Sequence, residues 1–92
     1  MEKKTIHAIV QGKVQGVFFR DHTSKEAQRL GLTGWVRNRA DGSVEAVISG
    51  EADKVGQLVS WLHTGSPRSE VDNIHTEEWD VEKPFTSFDI RF

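Results

Sequence analysis

Apolar residues in this chain recur at two different spacings, and the changes between them mark out its elements. Thr5 to Val10 (TIHAIV) is short, rich in β-branched residues and stopped by Gly12, which predicts a strand. In DHTSKEAQRLG, 21–31, the spacing becomes helical: Thr23, Ala27 and Leu30 share a stripe that Phe19 extends backwards. Asp21 or Thr23 is placed to cap the start of that helix, and Gly31 is a natural stop. LTGWVRNR and SVEAVISG, 32–39 and 43–50, return to strand character on either side of Ala40-Asp41-Gly42, a local hairpin signal. In the second of these runs Val44, Ala46 and Ile48 alternate with Ser43, Glu45 and Val47, as expected of a sheet with one covered face. EADKVGQLVSWLHTG, 51–65, places Val55, Leu58, Val59 and Leu62 on one stripe of an amphipathic helix. After the Gly65-Ser66-Pro67 loop, residues 70–92 read as two extended segments split around Pro84, with Phe88, Ile90 and Phe92 alternating in the second.

The predicted order is β-α-β-β-α-β, with an extra terminal strand possible. That order suits an α+β sandwich in which two helices cover one face of an antiparallel sheet, the ferredoxin-like arrangement. No internal repeat and no linker divides the chain, so residues 1–92 are read as a single domain.

Composition removes several classes of chemistry. With no cysteine, disulfides, thiolate metal sites and cysteine nucleophiles are excluded, and a reducing compartment is favoured. The N-terminal MEKKTIHAIVQG has only a short apolar run, too little for a signal-peptide core or a spanning helix, so the expected location is the cytoplasm with no membrane partner. The net charge of −2 argues against gripping a nucleic-acid backbone. Its distribution is uneven: residues 1–31 carry six Lys/Arg against three Asp/Glu, a net of +3, and residues 32–92 carry six against eleven, a net of −5. A local positive site in an acidic protein suits a small anion better than a polymer.

The positive site is sought in GKVQGVFFRDH, 12–22, where two glycines, an apolar cluster and Arg20 lie between a strand and a helix. Glycine at position 16 can take positive φ, so that the N–H groups of Gln15 to Arg20 turn inward as a nest at a helix N-terminus. Arg20 adds a planar, permanently charged fork that holds two oxygens of a phosphate or carboxylate at once. Val17, Phe18 and Phe19 are expected to anchor the loop in or against the core and so stiffen it. By pattern alone a tight turn with a solvent-facing Arg20 fits equally well, and the glycine spacing matches neither common nucleotide-binding loop. Asn38, near the end of a strand before the hairpin turn, carries one acceptor and two donors that could hold a water or a substrate oxygen, or could simply bond local backbone.

Other residues carry less. His7, His22, His63 and His75 are scattered without metal-ligand spacing, and His22 reads as a solvent-facing residue of the first helical turn, although it could line the site. Trp35, Trp61 and Trp79 are assigned to packing, because the aromatic signature of sheet-based RNA readers is missing and the charge is negative. Glu77, Glu78, Asp80 and Glu82 lack the loop of a calcium site and are read as charges along a solvated strand or edge.

Together, GKVQGVFFR and GWVRNRADGSVEAVISG resemble the two signature segments of the acylphosphatase family, at the expected separation, and the Gly65-Ser66-Pro67 loop and the FTSFDIRF ending also match. Phe18 and Asp21 fall where variation is expected. The resemblance implies the ferredoxin-like fold and a metal-free, cofactor-free enzyme that hydrolyses the carboxyl-phosphate anhydride of acyl phosphates. By position, Arg20 resembles the family's phosphate-binding arginine and Asn38 the asparagine that positions the attacking water, with Gln15, Gly16, Val17, Phe18, Phe19 and Arg20 forming the cradle. The implied partner is a small acyl phosphate, with no nucleic acid or membrane, and a monomer is expected. The alternative is a non-catalytic anion-binding regulatory module of the same fold.

Overall fold

A computed structural model describes residues 2–80 and 84–92. Its elements follow the order β1 (Lys3–Lys13), α1 (Phe19–Arg29), β2 (Thr33–Asn38), β3 (Val44–Glu51), α2 (Ala52–Thr64), β4 (Glu70–Glu78) and β5 (Phe88–Arg91). The strands form one sheet in the order β4-β1-β3-β2-β5. The first four pair with one another antiparallel, which is the ferredoxin-like arrangement. The extra terminal strand β5 exists, and it joins β2 in parallel, so the sheet as a whole is mixed.

Burial explains why these segments took these forms. α1 turns Phe19, Thr23 and Ala27 to the sheet, and α2 turns Val55, Leu58 and Leu62. α1 lies over β2 and β5, and α2 over β1, β3 and β4. Beneath them, Ala8, Val10, Val36, Val44, Ala46 and Ile48 form the floor of the core, each fully buried. Apolar area taken from water at about 25 cal/mol per Å² is the main stabilising term of such a two-layer domain.

Three local expectations are corrected. The first strand is longer than 5–10, because β4 pairs with β1 as far as Lys13 and supplies partners past Gly12. Neither Asp21 nor Thr23 caps α1: the capping position is Phe18, with no side-chain cap, and the Thr23 hydroxyl donates back to the Phe19 carbonyl at 2.7 Å. Nor does β3 have only one covered face, since Ser43 to Ile48 are all buried. On the face away from the helices, His7 and Arg37 donate to opposite oxygens of the Glu45 carboxylate, each at 2.6 Å. Trp79 stacks flat on His7 with ring centres 4.3 Å apart. Trp35 is buried on the same side, paired in register with Val47 and flanked by the guanidinium groups of Arg37 and Arg91. Trp61 alone of the three tryptophans packs against the helix-side core, beside Phe19.

Glu77 and Glu78 lie exposed along β4, an edge strand, as expected of charges that discourage strand addition. Asp80 follows that strand, and Glu82 lies outside the described residues.

Gly34 is the tightest point of the sheet. Its φ is 133°, and a Cβ there would collide with the Val47 carbonyl oxygen in the paired strand. Gly34→Ala is expected to lower unfolding free energy by about 3 kcal/mol or more in a urea titration. Burial opposes ionisation of Glu45, but hydrogen bonds from His7 and Arg37 outweigh it and hold the carboxyl below its ordinary value of 4.5. A depressed folded-state value means that this stabilisation is complete above pH about 4.5 and is lost as pH falls through the lower folded value. Glu45→Gln should therefore cost stability at neutral pH and lose less of what remains on acidification than the parent protein, as read from midpoints of urea unfolding.

Candidate active site

The segment between β1 and α1 contains two residues of left-handed backbone, Gly16 at φ 75° and Phe18 at φ 59°, with Val17 between them at negative φ. Such alternation of hand points successive N–H groups towards one side. Among the described residues, none of the N–H groups of residues 15–18 donates to a backbone carbonyl. The opening turn of α1 adds N–H groups that cannot be satisfied within the helix. The result is a concave cluster of donors at the positive end of a helix dipole.

Packing and side-chain struts fix this loop. Val17 and Phe19 are buried in the core, as the sequence suggested. Phe18 is not: its ring is 71% exposed, because the left-handed turn at this residue directs it outward while its two neighbours point in. The buried Ser66 hydroxyl donates to the Val17 carbonyl at 2.8 Å, tying the cradle to the loop after α2. The side chain of Gln15 points away from the cradle and donates to the carbonyls of Arg39 and Ser43 at 2.7 and 2.9 Å. It thereby clamps the cradle to the β2–β3 hairpin. Sequence reasoning assigned Gln15 only a backbone role and gave Ser66 none. A strut made across 49 residues leaves no mark on local spacing.

Strand alternation aims Asn38. Trp35 and Arg37 face away from the helices, while Val36 and Asn38 face towards them, and Asn38 shares a row with Val44 and Val10. The Asn38 side-chain oxygen is buried and has no hydrogen-bond partner among the described residues. Arg20, the second residue of α1, donates from Nη1 to the Arg91 carbonyl at 2.8 Å, and its guanidinium carbon lies 4.8 Å from the centre of the Phe92 ring. The C-terminal strand thus holds the arginine, a contact that the sequence reading did not anticipate.

These parts meet at one cavity of about 480 Å³, lined by Val14, Gly16, Phe18, Phe19, Arg20, Asp21, Asn38, Ile90 and Phe92. Gln15 and Val17 support it from behind, and His22 is not in its lining. The cavity offers a fixed cation, a nest of N–H donors and one unpartnered amide oxygen, a set suited to an anion with a water beside it. Among the described residues, no three His, Asp or Glu side chains are grouped so as to hold a metal ion. No helix in them is long and apolar enough to cross a membrane.

Comparison with known proteins bears on the chain as a whole. Residues 6–90 match the model of the Acylphosphatase family. An acylphosphatase from Pelotomaculum thermopropionicum is 46% identical over 92 residues, covering both chains completely. The structure of an acylphosphatase from Coxiella burnetii superposes with a TM-score of 0.92 at 46% identity, covering 97% of this chain and 93% of that one. The crystal structure of acylphosphatase from Bacillus subtilis gives a TM-score of 0.93 at 35% identity, covering 99% of this chain and all of that one. A match of motif, length and fold that runs almost end to end establishes that this chain belongs to the acylphosphatase family.

Proposed function

We propose that the protein hydrolyses the carboxyl-phosphate anhydride of small acyl phosphates to a carboxylate and inorganic phosphate, acting as a cytoplasmic monomer without a metal ion or cofactor. The observation that carries this reading is the buried, unpartnered Asn38 oxygen on the same cavity as the Gly16 turn and Arg20. A buried acceptor left unpaired costs about 1–3 kcal/mol, and a water donating to it recovers that loss while fixing its own position. A side chain placed only to brace the hairpin would spend its oxygen on local backbone, and this one does not.

In the proposed reaction the N–H groups of residues 15–20 and the Arg20 fork bind the phosphoryl oxygens and neutralise their charge. Because these donors are held before substrate arrives, little reorganisation accompanies the transition state. The water at Asn38 attacks phosphorus in line. Its oxygen forms the new P–O bond as the bond to the acyl oxygen breaks, and that electron pair leaves with the carboxylate. A carboxylate is stable without protonation, so no general acid is required. The amide of Asn38 does not titrate, and the proton of the water passes to a phosphoryl oxygen of the substrate itself.

Benzoyl phosphate is the direct test, with EDTA-treated protein and a simple phosphomonoester as control. Asn38→Ala should lower kcat by about 10²–10³-fold, the scale for loss of one positioned polar group, while inorganic phosphate still binds. Arg20→Ala should lose both binding and turnover with little change in Tm, since the hydrogen bond of its side chain to the Arg91 carbonyl is exposed and the Phe92 ring beside it is exposed too. Full turnover in Asn38→Ala, or a phosphoenzyme trapped in rapid quench, would sink the direct-attack mechanism. Saturable phosphate binding that depends on Arg20, with no turnover by the parent protein, would move the reading to an anion-binding module.

A further inference from the structure

Among the described residues three large apolar side chains are exposed: Phe18, Trp79 and Phe92. Trp79 has a partner, the ring of His7. The other two face the cavity that holds Arg20 and Asn38. Phe18 is the more informative. A bulky residue in left-handed backbone costs about 1–2 kcal/mol, whereas glycine or asparagine takes that conformation readily. Its exposed ring also returns almost nothing to the core. The fold therefore asks for the turn at position 18 but gives no reason for an aromatic residue there.

We propose that Phe18 and Phe92 form the acyl half of the site and make the protein select acyl phosphates whose acyl group is apolar and about the size of an aromatic ring. The inference rests on the hydrolase reading above and adds a substrate class to it. The nest, Arg20 and Asn38 account for the phosphoryl group and the water. The acyl group must then lie against the rest of the lining, which is Val14, Phe18, Phe19, Ile90 and Phe92 with a single acidic residue, Asp21. The guanidinium of Arg20 lies against the exposed ring of Phe92, so the residue that binds phosphate also borders one wall of the acyl site. Asp21 brings a negative charge to the same cavity, which disfavours an acyl group bearing a second carboxylate or phosphate.

The test compares kcat/KM for benzoyl and acetyl phosphate in the parent protein, Phe18→Asn and Phe18→Tyr. Asparagine keeps the left-handed turn and removes the ring; tyrosine keeps the ring. The parent should favour benzoyl phosphate. Phe18→Asn should reduce the benzoyl-to-acetyl ratio by about five- to tenfold, and Phe18→Tyr should retain it. Equal losses on both substrates in Phe18→Asn would overturn the proposal, because the ring would then matter only for the shape of the cradle. Calorimetric binding of benzoylphosphonate and acetylphosphonate, which cannot be hydrolysed, separates the two levels of inference. If the parent turns over neither phosphate yet binds benzoylphosphonate more tightly in a manner dependent on the Phe18 ring, the acyl site stands and the hydrolase reading fails. Binding of the two phosphonates with equal affinity overturns the acyl site whatever the turnover.

Discussion

The hydrogen bonding of β3 to both β1 and β2 is the constraint on which the site depends. Because β3 runs antiparallel to each, β1 and β2 are parallel, and their carboxyl ends reach the same end of the sheet. One end feeds the Gly16 turn and the other carries Asn38. The register brings Val10, Val44 and Asn38 into a single row, and a slip of one residue between β2 and β3 would turn Asn38 to the opposite face. Chemistry assigned to residues 15–20 and to residue 38 is therefore joined by strand pairing before any side chain is considered.

Rigidity then distinguishes a cradle from a turn. N–H groups gathered on one side of a turn repel one another, and without support such a loop would rotate them towards solvent. Buried Val17 and Phe19 hold it from below, Ser66 holds the Val17 carbonyl, and Gln15 holds the hairpin. Arg20 is held in turn by the last residues of β5. Each support comes from a different element, so the site is a product of the whole fold and its donors are organised before an anion arrives.

The face of the sheet away from the helices has a different task. Glu45, buried there, keeps its charge because His7 and Arg37 each satisfy one oxygen, and Trp79 covers His7. Breaking one member of such a network leaves an uncompensated buried group, so its loss costs more than its formation contributes. This cover makes β3 a strand buried on both sides, and it anchors the central pairing on which the site relies.

The sequence by itself determined the period and order of the elements, since apolar spacing of two or of three to four residues is a local property that survives in the folded chain. It also determined the glycine turn, the cation beside it and the amide at the end of β2, because each depends on residue type at one place. It misplaced the Phe18 ring and the cap of α1, where the left-handed turn at a phenylalanine overrode the usual preference for a small polar cap. It could not supply the parallel docking of β5, the covered outer face, the Gln15 and Ser66 struts or the grip of residues 91 and 92 on Arg20. The Gln15, Ser66 and Arg20 hydrogen bonds join positions 24 to 71 residues apart, and nothing in the local pattern records them. Residue type set what each group can do; only the tertiary structure, by bringing the carboxyl ends of β1 and β2 together with the end of the chain, decided which of them meet at one cavity.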